Sequence, residues 1–154
     1  MLTELEKIEL GLFERIYTIG NVRRNNQYSL VNKEGYYITE VGEQIGYRYE
    51  VIKIIDQGAF GQVVKCEDWK YSQRPSVAVK ITKNKKFDID NAVVEIKFLT
   101  KLRDGRQSKN IDLEGCDRIV EILDSFKFRQ HYIIVFENLN INLYKYMKVN
   151  KMNP

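Results

Sequence analysis

The chain contains few of the residues from which metal centres and disulfide frameworks are built. Its 154 residues include two cysteines, Cys66 and Cys116, and one histidine, His131. The cysteines have neither CxxC spacing nor a histidine pattern around them, which argues against a zinc site. The sequence pattern therefore predicts no metal site held by protein side chains.

Long apolar runs and targeting signals are also missing. The sequence has no stretch of about 18 apolar residues of the kind that crosses a bilayer. Its first ten residues, MLTELEKIEL, lack the basic start and the apolar centre of a secretory signal. We therefore expect an intracellular protein, cytoplasmic or nuclear or both, with no membrane partner.

Charge of one sign is not concentrated anywhere in the chain. The 25 basic and 21 acidic residues are interleaved and leave a formal charge of +4. A nucleic-acid footprint requires clustered basic residues, so a nucleic-acid partner is not expected and the charges indicate a solvated surface. The composition, 44% hydrophobic and 30% charged, is typical of a soluble globular protein. A minor alternative is an RNA-binding sheet that exposes Tyr47, Tyr49 and Tyr132.

Hydropathy patterns predict a strand-rich body preceded and followed by short helices. Leu2, Leu5, Ile8 and Leu12 recur at spacings of three and four, which indicates a helix with one apolar face. The polar segment 22–33 is predicted to be a loop or linker, and the segment 142–150 a terminal helix.

Five β-branched runs predict an antiparallel sheet, because short turns join the runs. The runs are YRYEVIKII, GQVVKCEDW, SVAVKIT, IVEILDSF and HYIIVFE. Between the third and fourth runs, Ala92, Ile96 and Leu99 recur at helical spacing, with Asp88 and Asp90 as capping candidates and Gly105 as the expected end of the helix. The predicted class is α+β, a five-stranded antiparallel sheet with one main packed helix.

The stretch IIDQGAFGQVV, from Ile54 to Val64, interrupts a strand pattern with Gly58 and Gly61. Glycine in a strand indicates a tight bend or a close approach to the backbone. In a dinucleotide fingerprint the last glycine opens a helix, whereas here it leads into another strand. The stretch therefore fits a hairpin that covers phosphates with main-chain N–H groups, although an ordinary hairpin turn explains it as well.

A second feature is a lysine at the end of an apolar strand. Lys80 follows Val77, Ala78 and Val79, and a buried ammonium needs a partner. Glu95 is a candidate, because it lies three residues after Ala92 and so on the inward side of the predicted helix. A surface lysine and a solvated glutamate are the alternative interpretation.

Together these stretches resemble a eukaryotic protein kinase. IIDQGAFGQVVKCEDWK, VAVKI and AVVEIKFL are similar to the glycine-rich loop, the ATP-anchoring lysine strand and the glutamate helix of that family. The likeness is closer to the dual-specificity tyrosine-regulated kinases, the DYRK family of the CMGC group. It extends to GYRYEVIKII and SFKFRQHYIIVFENLNINLYKYMK, and to LTELEKIEL and IYTIG, which resemble the accessory segment before the kinase domain.

The resemblance implies ATP, with Mg²⁺, as the cofactor. Lys80 would hold the α- and β-phosphates and Glu95 would orient Lys80. The phosphate cover would be formed by Gly58, Ala59, Phe60 and Gly61. The other implied contacts are Ile55, Val63, Ala78 and Val120 around the adenine, Phe136 behind it, backbone groups of Glu137 and Leu139 at the base edge, and Asn142 at the ribose. For the apolar members, core packing is the alternative.

Two departures from the family pattern affect the expected activity. Asp56 replaces the first glycine of the loop, so its carboxylate is expected to weaken nucleotide binding or to make it more dependent on magnesium. No H-R-D-x-x-x-x-N and no D-F-G motif occurs in the chain, so it has neither the catalytic aspartate nor the magnesium ligands of the family. We expect the chain as written to be inactive alone.

The resemblance implies three segments: an accessory segment and linker over 1–46, a small ATP-binding lobe over 47–139, and the start of a large lobe over 140–154. Where a large lobe is present, phosphoryl transfer from Mg-ATP to serine or threonine of a protein substrate is implied, together with tyrosine autophosphorylation. The alternative hypothesis is a non-catalytic nucleotide-binding or interaction module.

Overall fold

The computed structural model describes residues 1–25, 30–108, 118–139 and 143–151. Three helices and six strands occur in these ranges. They are, in chain order, α1 (Glu4–Leu10), β1 (Gln44–Ile45), β2 (Tyr49–Gly58), β3 (Gly61–Asp68), β4 (Ser76–Thr82), α2 (Lys86–Ser108), β5 (Ile122–Phe128), β6 (His131–Glu137) and α3 (Leu143–Val149).

All six strands form one antiparallel sheet in the order β1-β2-β3-β4-β6-β5. The predicted antiparallel sheet is confirmed, but the predicted number of five strands was too low. The additional strand, β1, is only two residues long, Gln44–Ile45, and pairs with the start of β2. A two-residue strand is too short to show an alternating hydropathy pattern, which is why the sequence did not reveal it.

The first helix buries two glutamates and only part of its predicted apolar face. Ile8 and Leu12 are 69% and 79% exposed, whereas Glu6 and Glu9 are buried. Glu6 belongs to a capping box, because its side chain accepts from the backbone N–H of Thr3 while Thr3 accepts from that of Glu6. The predicted apolar face is therefore only partly right: Leu5 packs against the core, whereas Ile8 and Leu12 do not, because specific polar contacts also set the orientation of the helix.

The hydrophobic core lies between one face of the sheet and the segment before β2. Val51, Val64, Val79 and Val135 contribute the sheet side and are 0% exposed. The other side comes from the early part of the chain, with Leu30, Tyr37, Ile45 and Tyr47 in the same core cluster and Leu5, Leu10 and Phe13 packed against it. The part of the chain before β2 that the structure describes thus contributes side chains to the core, although most of it forms no regular secondary structure.

The helix α2 lies on the opposite face of the sheet, where it contacts β4, β5 and β6. It runs to Ser108, so the prediction that Gly105 ends it was wrong. Gly105 is buried within the helix. None of the helices in the described ranges combines the length and hydropathy needed to cross a bilayer.

Candidate functional site

The glycine stretch forms the predicted hairpin between β2 and β3. Gly58 pairs with Gly61 across the two strands, so Ala59 and Phe60 form the turn. The two glycines differ in their surroundings. A Cβ on Gly61, whose φ is +145°, would lie 2.3 Å from the carbonyl oxygen of Ile81, whereas a Cβ on Gly58 would meet no atom of the described residues within 4 Å. Gly61 therefore serves sheet packing, and Gly58 faces open space.

Lys80 extends from the sheet face that the core does not use. Along β4, Val77, Val79 and Ile81 are buried while Ala78 and Lys80 are half-exposed, as expected from the alternation of side chains along a strand. Lys80 pairs with Val63 on β3 on one side and with Ile134 on β6 on the other. The ammonium thus lies on the α2 side of the sheet, one strand away from the glycine hairpin.

Glu95 reaches Lys80 from α2. The Lys80 Nζ lies 2.8 Å from Glu95 Oε1 and 2.7 Å from Oε2, so the ammonium contacts both carboxylate oxygens. The two side chains are 21% and 35% exposed. Because a partly exposed ion pair contributes little to stability, the main effect of this contact is to fix the direction of the ammonium.

A cleft opens beside this ion pair. It has a volume of about 260 Å³ and lies between the hairpin turn, the end of β4 and the first turns of α2. Its lining residues are Phe60, Lys80, Thr82, Asp88, Asn91, Ala92 and Glu95. The structure therefore brings together Phe60, Lys80 and Glu95 from three separate elements. One cation beneath a glycine hairpin can neutralise a polyanion such as a nucleotide phosphate chain.

Of the cavities in the described ranges, a larger one of about 730 Å³ lies elsewhere, between residues 16–21 and the outer sides of β2 and β3. Its polar groups include the carboxylates of Glu50 and Glu67, and none of the predicted site residues lines it. Arg74 also lines it, so the charges alone do not distinguish the two cavities, but the contact between Lys80 and Glu95 belongs to the smaller one. The smaller of the two cavities is therefore the candidate nucleotide site.

The residues expected around the adenine do not line the cleft, but several share its face of the sheet. Val63 pairs with Lys80, and Ala78 pairs with Phe136, and all three apolar side chains are half-exposed. Ile55 is 42% exposed at an irregularity of β2, where the register shifts between Ile54 and Asp56.

The remaining predicted contacts lie at the far end of β6 and before β5. Glu137 ends β6, and its N–H donates to the Glu121 carbonyl at 3.3 Å. Leu139 is 65% exposed and Val120 is half-buried. Asn142 lies outside the described residues. Among the described residues, no group of three or more His, Cys, Asp or Glu side chains is placed to hold a metal ion.

Sequence reasoning missed two sets of residues near the site. Thr82, Asp88 and Asn91 line the cleft; of these, only Asp88 was noted, as a capping candidate. Tyr36 was also missed, although its hydroxyl donates to the Gly58 carbonyl at 2.8 Å. Position 36 lies 22 residues before the hairpin, and no local pattern connects the two segments.

Comparisons with known proteins point to one family. The chain is 39% identical over 158 aligned residues to dual specificity tyrosine-phosphorylation-regulated kinase mbk-2 of Caenorhabditis elegans, covering 97% of the chain and 18% of the relative. It is 41% identical over 122 residues to human dual specificity tyrosine-phosphorylation-regulated kinase 4, covering 79% of the chain and 22% of the relative. Mouse dual specificity tyrosine-phosphorylation-regulated kinase 3 matches at 36% identity, over 97% of the chain and 26% of the relative. No protein-family model matches.

The chain spans between about a fifth and a quarter of the length of these relatives. At these identities over nearly the whole chain, and with a lysine–glutamate pair under a glycine hairpin, the resemblance seen in the sequence is confirmed. The chain belongs to the DYRK family of CMGC protein kinases and corresponds to part of such a kinase.

Proposed function

We propose that this chain is the ATP-binding small lobe, with its preceding accessory segment, of a DYRK-type protein serine/threonine kinase. The observation on which the proposal rests is the contact of Lys80 with both oxygens of Glu95, at 2.7 Å and 2.8 Å, beside a cleft beneath the glycine hairpin. A directed ammonium in such a cleft can bind the α- and β-phosphates of ATP, with Glu95 orienting it.

The hairpin would cover the phosphates with main-chain N–H groups. The open space beside Gly58 supports this role, because a side chain there would occupy the volume next to the phosphate chain. Phe60, 60% exposed at the turn and in the lining of the cleft, would shield the phosphates from water. Ala59 completes the turn.

The base would lie on the sheet face that Lys80 shares with Val63, Ala78 and Phe136. Ile55 and Val120 would add apolar contacts from the two sides. Because the N–H of Glu137 already donates to Glu121, the carbonyl of Glu137 is the group available to accept from an exocyclic amine, and Leu139 would contribute its N–H. Asn142 would serve the ribose.

Magnesium would have to be held mainly by the phosphates themselves, because the described side chains supply no cluster of carboxylates at the cleft apart from Asp88 and Glu95.

The segments proposed from the sequence are 1–46 as the accessory part, 47–139 as the lobe and 140–154 as the start of a large lobe. Protein phosphorylation would require that large lobe. The relatives are named as kinases, so the alternative of a non-catalytic module is not favoured.

Titration of Mg-ATP into the purified chain by calorimetry tests this proposal. We expect saturable binding, and we expect Lys80→Met to weaken it about tenfold or more, because a hydrogen bond between charged groups is lost. Lys97→Met is the matched control, since Lys97 is an exposed lysine on the same helix as Glu95 and should not affect the affinity. Equal affinities of the parent and Lys80→Met, or no saturable binding by the parent, would contradict the proposal.

A further inference from the structure

The glycine hairpin has little support from the core. Every residue of β2 from Ile52 to Gly58 is exposed, as are Ala59 and Phe60. β3 pairs with β4 over Gly61–Glu67, but the segment from Ile52 to Gly58 has β3 as its only neighbouring strand among the described residues. Contacts from outside the sheet can therefore affect the position of the first arm and of the turn.

Residues 35–39, from the segment before the sheet, lie against both arms of the hairpin. The Tyr36 hydroxyl donates to the carbonyl of Gly58 on the first arm, at 2.8 Å. The Thr39 hydroxyl donates to the side-chain oxygen of Gln62 on the second arm. Gln62 in turn donates to the side chain of Gln57 at 3.2 Å, which joins the two arms to each other.

The turn after β4 completes the same contact. Lys83 donates its backbone N–H to the Phe60 carbonyl at 3.4 Å, and its ammonium lies 4.3 Å from the centre of the Tyr36 ring. Asn84 donates its backbone N–H to the Gly35 carbonyl at 3.0 Å. The tip of the hairpin, residues 35–36 and residues 83–84 thus form one hydrogen-bonded group.

Residues 35–39 are themselves anchored in the core. Tyr37, between Tyr36 and Thr39, is 3% exposed and donates its hydroxyl to Glu43. Arg129 donates to the Tyr37 hydroxyl at 2.7 Å and to Glu43 at 2.9 Å. Because Tyr36 and Thr39 extend from a segment that Tyr37 anchors in the core, their hydrogen bonds can restrict the motion of the hairpin.

We propose that residues 35–39 form a brace that holds the glycine hairpin over the nucleotide site, with Tyr36 as its principal positioning residue. The inference rests on the proposed function, because the hairpin matters for a nucleotide only if the cleft binds one. The proposal assigns residues 35–39 a role in positioning the hairpin at the nucleotide site. Tyr36 acts through the hairpin backbone and touches no phosphate itself.

Hydrogen–deuterium exchange on the nucleotide-free chain tests the brace directly. We expect Tyr36→Phe, which removes one hydroxyl, to speed amide exchange of residues 56–62 about two- to tenfold, the range that corresponds to a single hydrogen bond. Thr39→Val should do the same to a smaller extent, and it provides a second variant if Tyr36→Phe folds poorly. Exchange of residues 131–137 in β6 should not change.

Tyr71→Phe is the matched control. Tyr71 is 47% exposed in the turn between β3 and β4, and within the described part of the chain its hydroxyl has no hydrogen-bond partner. Unchanged exchange of residues 56–62 in both brace variants would overturn the proposal. So would faster exchange spread equally over the whole sheet, because that would indicate a general loss of stability and no specific support of the hairpin.

Calorimetric titration of Mg-ATP separates the brace from the proposed function. If the parent binds ATP, Tyr36→Phe should raise the dissociation constant about two- to tenfold, whereas Tyr71→Phe should not change it. Equal affinities of the parent and Tyr36→Phe would overturn the positioning role. If the parent binds no ATP but the hairpin of the variants exchanges faster, the brace is supported and the proposed function fails.

Discussion

Arg129 donates two hydrogen bonds to the carboxylate of Glu9, at 2.8 Å and 2.9 Å, and so joins the turn between β5 and β6 to the first helix of the chain. The arginine side chain is 3% exposed and that of Glu9 is 10% exposed. Burial on its own would lower the pKa of Arg129, but the hydrogen bonds and charges of its partners raise it. The guanidinium is therefore charged at every relevant pH.

Arg129→Ala should destabilise the chain by about 3–5 kcal/mol, because it leaves the Glu9 carboxylate buried without its cation, whereas Glu43 keeps its contact with Arg24. The free energy of unfolding from urea titration measures this effect. Arg103→Ala is the control, since Arg103 pairs with its exposed neighbour Asp104 at 3.2 Å, and we expect it to cost less than about 0.5 kcal/mol. Similar losses in the free energy of unfolding of the two variants would show that the buried ion pairs of Arg129 contribute no more than the exposed pair of Arg103.

Gly61→Ala should destabilise the chain by about 1–3 kcal/mol. The added methyl group would lie 2.3 Å from the Ile81 carbonyl oxygen, at a φ of +145° that side chains rarely adopt. Gly58→Ala is the matched variant three residues earlier, and its effect on stability should stay within about 0.5 kcal/mol because its methyl group meets open space. Chemical denaturation checks both values, and equal losses would contradict the different roles assigned to the two glycines.

Removal of the charge of Asp56 should strengthen ATP binding about fivefold, since two like charges about 4 Å apart in water repel by about 1 kcal/mol. Asp56 accepts a hydrogen bond from the N–H of Gln57 at 2.8 Å. Asp56→Asn keeps that acceptor and isolates the charge, whereas Asp56→Gly also restores the glycine of the family pattern. Calorimetry at two salt concentrations measures the affinity for Mg-ATP. If the affinity rises in neither variant, the Asp56 carboxylate does not weaken nucleotide binding.

Stability should fall as the pH is lowered from 7 toward 5 because of His131. This residue is the only histidine of the chain, is 0% exposed, and lies with its Nδ1 2.6 Å from the Thr82 carbonyl, to which it donates. Burial lowers the pKa of His131, so the unfolded state binds the proton more readily than the folded state. Its neutral form therefore stabilises the fold fully above the ordinary histidine pKa of about 6.5.

Urea titrations at several pH values measure that dependence. His131→Gln removes the titrating group, so the slope of stability against pH between about 5.5 and 7 should flatten in this variant. The comparison with the parent isolates His131, because carboxylates such as Glu50, whose pKa burial raises, titrate alike in both proteins. An unchanged slope in His131→Gln would show that other groups cause the acid sensitivity.

The amino-acid sequence determined the elements that have a strong local period. The alternating runs became β2, β3, β4, β5 and β6, and the hairpin follows from two glycines three positions apart. The residue pattern also singled out the lysine and the glutamate, for which family resemblance implied roles, and the structure places them in contact through β4 and α2. The strands and the hairpin are local features, and Lys80 and Glu95 are only 15 residues apart. Residue type and spacing therefore specify all of these features.

Tertiary structure decided which faces were buried and what supports the hairpin. Hydropathy placed the apolar residues of α1 inward, but capping by Glu6 and the ion pair of Glu9 turned its glutamates toward the core. The Tyr36 contact joins residues 22 positions apart, and the Glu9 contact joins residues 120 positions apart. Such pairings depend on how the whole chain is arranged in space, because a single polar side chain carries no periodic signal that names its distant partner.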